Sequence, residues 1–251
     1  MLDLIIKNGK CYIDGELREA DVSVKDGKIL KIGQISEDAE DIIDAKGLTV
    51  LPGCIDTQTH FREPGSTDTE DLHSGSRAAV AGGITAVFEM PNTNPPTANK
   101  KEFQRKLDLA KNRMYCNYAF YFGATADNAD DLASLKDLEG CCGIKLFAGS
   151  STGNLLVADE KDIEKVFQNS SKVVAVHSED EEILNQNKKL IKKGDVHSHP
   201  TWRSEECAMS STRRIVRLAE QYNKRAHVLH ITTKQEIDFL SQHKGNITFE
   251  I

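Results

Sequence analysis

From residue 51 onward the chain repeats one pattern: a short apolar run, then a charge-rich stretch whose apolar residues recur at helical spacing. This is what βα units around a parallel sheet require, because a strand covered on both faces reads as continuously apolar while the covering helix is apolar along one stripe. The pattern predicts strands near 51–60, 84–91, 115–123, 143–148, 172–178, 225–231 and 247–251. Helices are predicted between them in EDLHSGSRAAVAGG, KKEFQRKLDLAKN, ADDLASLKDL, EKDIEKVFQN, DEEILNQNKKLIKKG, EECAMSSTRRIVRLAEQYN and TKQEIDFLSQHKG. The last opens with Thr233 and Glu236 at capping-box spacing. A closed (β/α)8 barrel needs eight strands, and the sequence reaches Ile251 inside the seventh. The expected fold is therefore α/β, a TIM-type (β/α)8 barrel truncated within its seventh strand.

Residues 1 to 50 read differently. Extended runs in LIIKNGKCYIDGEL, DVSVKDGKILKIG and DIIDAKGLTVLPG are punctuated by Asn-Gly and Asp-Gly, which tolerate positive φ and favour hairpin turns. A small antiparallel β unit is expected over 1–50, with the barrel over 51–251.

Composition narrows the function classes. A formal net charge of −7 argues against a nucleic-acid or anionic-membrane surface. No stretch approaches the roughly 20 apolar residues of a membrane helix, and MLDLIIKNGK has an acid at position 3 and too short an apolar region for a signal peptide. A cytoplasmic location is expected. The six cysteines form no Cys-x-x-Cys pair and sit mostly in apolar runs, so neither disulfides nor a structural zinc knuckle is expected. An anionic substrate would need a local basic group.

In LPGCIDTQTHFREPG, residues 51–65, alternation along an extended strand puts Asp56, Gln58, His60 and Arg62 on one face. Active sites of parallel barrels lie at the carboxyl ends of the strands, where unusual polar residues are worth collecting. His60 ends the first predicted strand, Asn92 follows the second, Lys145 lies in the fourth, His177 ends the fifth and His230 the sixth. A lone histidine at such a place is more often a hydrogen-bonded core group than a ligand, but three at strand ends point to a transition metal such as zinc. For Lys145 by itself, the chemistry favours a stem packed in the sheet with a snorkelling ammonium. His227 and His230, three apart, should face opposite ways in a regular strand, so that one of them points inward and parity does not say which. His197 and His199 in DVHSHP have His-x-His spacing but follow no apolar run, and a surface loop is expected there. GSSTGN, residues 149–154, lacks the Gly-Lys-Ser/Thr ending of a phosphate loop and reads as a βα loop near the site.

Taken together, PGCIDTQTHFREPG, AAVAGGITAVFEMPNTNPPT, GIKLFAGSSTGN, VVAVHSED, HPTWRSEECA and AHVLHITT resemble the cyclic amidohydrolases, and within them the dihydroorotases. The resemblance covers the whole chain. It implies a metal-binding barrel flanked by a β-sandwich, to which residues 1–50 would contribute, and interconversion of dihydroorotate and N-carbamoyl-aspartate in pyrimidine synthesis. By the same resemblance, His60 would ligate the first metal, Lys145 would carry a carbamate bridging two metals, and His177 and His230 would hold the second, which selects His230 over His227. An ammonium has no lone pair for a metal, whereas a carbamate is a carboxylate. Arg62 and Asn92 match groups that hold the substrate carboxylate, for which a guanidinium offers two parallel hydrogen bonds.

The implied chemistry is metal-assisted amide hydrolysis. The family's proton-carrying aspartate ends the eighth strand, beyond Ile251, so no catalytic residue is assigned. Where the family has His-x-His this chain has Gln58-Thr59-His60, and an amide oxygen is a poorer zinc ligand than imidazole. Two zinc ions per chain are expected with Gln58 ligating, one without it. A homodimer is expected. Competing readings are allantoinase, hydantoinase or dihydropyrimidinase, which generally lack the Arg62-type residue, and a non-catalytic dihydroorotase-like subunit supporting aspartate carbamoyltransferase, which Gln58 favours.

Overall fold

The computed structural model describes residues 1–150 and 154–251. Two compact units divide the chain, Met1–Cys54 and Ile55–Ile251. In the first, β1 (Leu2–Ile13), β2 (Glu16–Lys25) and β3 (Lys28–Gly33) are antiparallel neighbours, and β4 (Ala39–Asp44) and β5 (Thr49–Val50) pair with β1 in parallel. Asp14-Gly15 and Asp26-Gly27 form the hairpin turns with all four residues at positive φ. Asn8-Gly9 does not turn the chain. There β1 runs on through a shift of register against β2. The Asn8 N–H donates to Asp21 Oδ1 at 3.0 Å and its amide to Asp44 Oδ1 at 2.9 Å, so carboxylates on neighbouring strands satisfy the bulge. The sheet is mixed rather than wholly antiparallel, because β2 occupies one edge of β1 and the segments after β3 return along the other in the direction of β1.

The second unit runs β6 (Cys54–Thr59), α1 (Leu72–Ala81), β7 (Ile84–Glu89), α2 (Lys100–Ala110), β8 (Asn117–Gly123), a 3-10 segment (Ala129–Leu135), β9 (Cys141–Phe147), α3 (Glu160–Asn169), β10 (Val174–His177), α4 (Glu181–Asn187), α5 (His199–Trp202), α6 (Glu205–Gln221), β11 (Ala226–Val228), α7 (Lys234–Leu240) and β12 (Ile247–Phe249). The strands lie in chain order from β6 to β12, with parallel pairing from β7 onward. The expected α/β barrel architecture is thus observed over these seven strands. Alternation explains the layers. Val87, Phe120, Phe122, Ile144, Leu146, Val174, Val176 and Val228 join the large core with the helices. The opposite parity, with Tyr121, Ala175 and Leu229, packs separately with Met90.

Two helix expectations change. The ADDLASLKDL segment is 3-10, its leading Asn128 making no side-chain cap. In DEEILNQNKKLIKKG, α4 ends at Asn187 and a single 3-10 turn follows, because residues 188–194 are exposed and bury no apolar stripe. At α7, Thr233 caps as expected, accepting from the Glu236 N–H.

The turn after β6 is seated by packing. A Cβ at Gly75 in α1 would lie 2.4 Å from Phe61 Cδ1, so the ring rests directly on the helix backbone. Arg113 holds the buried Glu63 carboxylate through two bonds of 2.7 and 3.1 Å, and the Leu72 N–H donates to the same group at 2.9 Å. Gly75→Ala should gain helix propensity yet overpack a buried ring, so a net loss of about 1–3 kcal/mol is expected. Thermal unfolding checks it, and an unchanged midpoint would show that the ring gives way freely.

Candidate functional site

At the ends of β6 and β7 the chain leaves strand geometry. β6 stops at Thr59, so His60 follows the strand rather than ending it, and Arg62 adopts φ +62°. Simple parity therefore does not carry Arg62 onto the face of Gln58, as the alternation predicted. Instead residues 60–65 form a turn in which Phe61 and Glu63 pack inward against α1 and the Arg113 side chain. That turn is fixed to the one after β7: the Asn94 N–H donates to Pro64 O at 2.9 Å, and a Cβ at Gly65 (φ +121°) would meet Asn94 Cβ at 2.7 Å. The docked turns bring Asn92 into hydrogen-bond contact with the His60 side chain. Burial first, then the charges of Arg62 and Lys145, push His60 down to about 4.

Lys145 lies in β9, 1% exposed, with Nζ 4.4 Å from the centroid of the Phe147 ring. Among the described residues Nζ is buried with no hydrogen-bond partner, and burial holds its pKa well below the ordinary value, the Glu250 charge opposing. The snorkelling arrangement favoured by chemistry alone is absent. This ammonium is not in water.

His177 ends β10, and its Nδ1 lies 3.1 Å from His230 Nε2. Two nitrogens bound to one zinc at about 2.0–2.1 Å, with angles between square and tetrahedral, stand about 2.9–3.4 Å apart, so the pair fits an ion. His177 Nε2 is 2.7 Å from Glu179 Oε2. Desolvation opposes ionisation of Glu179, but the His177 hydrogen bond and the His177 and Arg203 charges outweigh it and lower the pKa. An ionised carboxylate only accepts, so Nε2 bears a proton, and in the neutral imidazole Nδ1 then has its lone pair on the side of His230. Arg203 also pairs with Glu179 and donates to Ser150 O at 2.7 Å.

β11 ends at Val228, and His230 takes φ +42°. The strand rule that admits one of His227 and His230 therefore fails. His227 keeps the parity of Leu229 and meets Thr248 Oγ1 at 2.8 Å and Glu250 Oε2 at 3.2 Å, while His230 is turned back onto His177. Although His230 is exposed overall, desolvation of its ring comes first, followed by the His177 and Lys145 charges, in lowering it to about 4.

The contacts that join the other candidates do not include Gln58, whose backbone N–H donates to Asp56 Oδ1 at 3.0 Å within its own strand. Among the described residues no three His, Cys, Asp or Glu side chains converge to hold an ion. The donor set is a histidine pair with a lysine and a third histidine nearby, and lysine becomes a donor once it carries an oxygen group. A cavity of about 440 Å3 opens beside the pair, bordered by His177, Glu179, Arg203, His230 and His199. His199, set aside with His197 as surface loop, is exposed at the start of α5 and lines this cavity edge-on to Trp202. Sequence reasoning missed Glu179 and Arg203 as holders of His177. The place of Glu179 two residues after a strand-end histidine was the available signal. Of GSSTGN, residues 151–153 lie outside the described residues. At Gly149 a Cβ would meet Glu179 Cβ at 2.7 Å, so this loop runs against the His177 support.

Comparison with known proteins agrees with the architecture. An L-hydantoinase (dihydropyrimidinase) from Arthrobacter aurescens superposes with a TM-score of 0.88 at 27% identity, over 96% of this chain and 56% of that one. A dihydroorotase of Methanosarcina acetivorans is 34% identical over 97% of this chain and 53% of its own length, and an allantoinase of Escherichia coli is 34% identical over 94% and 54%. The chain thus spans about half the length of the curated relatives it matches. The amidohydrolase family matches residues 49–250, and the chain belongs to that family. Among the described residues no helix is long and apolar enough to cross a membrane.

The histidines set a pH dependence. Unfolded histidine binds a proton below about 6.5, whereas His60 and His230 do so in the fold only near 4. In that window the unfolded chain holds more protons, so stability falls as pH drops. Urea unfolding of chelator-treated protein should show a lower midpoint at about pH 5 than at about pH 7.5, with a smaller difference in His60→Gln. Equal differences in the two proteins would contradict the burial of His60.

Proposed function

We propose that the chain carries the metal site of a cyclic amidohydrolase that interconverts dihydroorotate and N-carbamoyl-aspartate. The observation that supports this most is the buried Lys145 amine, without a hydrogen-bond partner among the described residues, near strand-end histidines. Burial disfavours its ammonium form, and the neutral nitrogen can form a bond to the carbon of CO2 and release its proton to solvent. The product is a carbamate whose two oxygens replace a stranded amine with metal donors. His177 and His230 with this carbamate would hold one zinc, and His60 with the carbamate, aided by the Gln58 amide oxygen, a second. Such ions supply Lewis acidity and water of lowered pKa.

The chain's own residues do the rest. Glu179 keeps the His177 lone pair on Nδ1, and Arg203 keeps Glu179 in place. Arg62 and Asn92, brought to His60 by the docked turns, are suited to hold a substrate carboxylate. These two residues favour dihydroorotate over allantoin or a hydantoin. Relatives of equal identity named dihydroorotase and allantoinase support testing all three rings. Gln58 supports one further reading, a non-catalytic subunit partnered with aspartate carbamoyltransferase.

Hydrolysis of dihydroorotate, allantoin and hydantoin by the protein purified without chelators, with zinc counted by elemental analysis, tests the reading. Preference for dihydroorotate with one or two zinc ions is expected, and zinc-free protein inert on all three rings would favour the subunit reading. Lys145→Ala should abolish activity, with added short carboxylates restoring part of it, and full activity in that variant would remove the carbamate from consideration. Arg62→Met should raise KM for dihydroorotate by about 10- to 100-fold, the loss of a charge-assisted bond. An unchanged KM would point to a different ring.

A further inference from the structure

Behind the site, on the helix side of the sheet, lies an ion pair to which the proposed chemistry gives no part. Glu89 ends β7 and Lys106 projects from α2. Their side chains are 1% and 0% exposed, and Lys106 Nζ contacts Glu89 Oε2 directly. Burial is the dominant influence on both, raising Glu89 to about 7 and lowering Lys106. An ion pair so deep has no value as surface charge, and similar apolar residues are often at least as stable in its place.

Its position in the ladder gives it a use. Met90 N–H donates to Thr59 O at 2.9 Å, a regular parallel rung between β7 and β6. The next rung of a regular parallel ladder would join Phe61 N–H to Met90 C=O. Here the Phe61 N–H instead lies toward the Glu89 carboxylate, whose ionised form it favours, and Lys106 Nζ donates to Met90 O at 2.9 Å. The side-chain pair thus meets both backbone groups at the point where the two strands part, immediately beside His60, Arg62 and Asn92.

We propose that Glu89 and Lys106 are positioning residues, a side-chain rung that sets the spacing of the β6 and β7 ends and so the placement of His60, Arg62 and Asn92. The role of those three in catalysis rests on the function proposed above. The placement itself does not. Arg62 and Lys106 charges both act on His60, and the Arg62 charge acts on Glu89, which places the pair within electrostatic reach of the groups it supports.

Two double variants of the full chain separate positioning from bulk stability. Glu89→Leu with Lys106→Met replaces the pair by apolar groups and leaves Phe61 N–H and Met90 C=O without their side-chain partners. Glu89→Gln with Lys106→Gln keeps an acceptor and a donor without charge. Hydrogen exchange of the Phe61 amide, followed by mass spectrometry on peptides spanning 59–65, is the first readout, and kcat/KM the second. The apolar pair should fold with a thermal midpoint near the parent's, lose protection at Phe61, and lose about 100-fold in kcat/KM, the scale of a misplacement near 1 Å. The amide pair should recover protection and most of the activity. Parental protection at Phe61 in a folded apolar pair overturns the proposal. If the apolar pair does not fold, the amide pair decides, since parental exchange there supports the rung and lost protection overturns it. A parent inert on every cyclic amide would remove the proposed function, while exchange at Phe61 would still decide the rung.

Discussion

The site depends on the parallel register of β6 to β12. With every strand running the same way and in chain order, the carboxyl ends of β6, β7, β9, β10 and β11 open on one side of the sheet, and each delivers its polar residue there. Helices cover the other parity of the strands, which is why Val87, Ile144, Val176 and Val228 are buried against them while Lys145 and His177 are left on the inner side. Parallel register alone gives proximity. A distance of hydrogen-bond size arises where the chain leaves the strand, as at the left-handed His230, 3.1 Å from His177.

Those departures are held by groups outside the chemistry. Phe61 on Gly75, Glu63 with Arg113, and Gly65 under Asn94 fix the turn after β6. Glu179 and Arg203 fix His177, and Glu89 with Lys106 stands between two strand ends. Supports of this kind are costly when buried, since each carboxylate loses its water and needs a cation or N–H in exchange. Lys145 is the opposite case: among the described residues its buried amine has no hydrogen-bond partner and no paired carboxylate to offset the lost water.

Much of this was legible in the residues. Apolar runs placed all seven strands of the second unit to within a few residues, because a strand buried on both faces has little freedom in composition. The strand-end residues His60, Asn92, Lys145, His177 and His230 were legible for the same reason. Errors followed from local rules overridden by tertiary partners. Asn8-Gly9 has turn chemistry, yet Asp21 and Asp44 satisfy it as a bulge inside β1. His199 looked like surface, and it is exposed, but α5 sets it on the rim of the cavity.

What the sequence determined by itself is the order of elements and the chemical types at their ends, because periodicity and residue identity are local properties. Tertiary structure decided which of those groups meet. The reversal of His230 requires a positive φ that no residue pattern announces. Pairs such as Glu89 with Lys106 or Glu179 with Arg203 join separate elements, so their partners are chosen by packing and by the cost of an unpaired buried charge rather than by spacing along the chain.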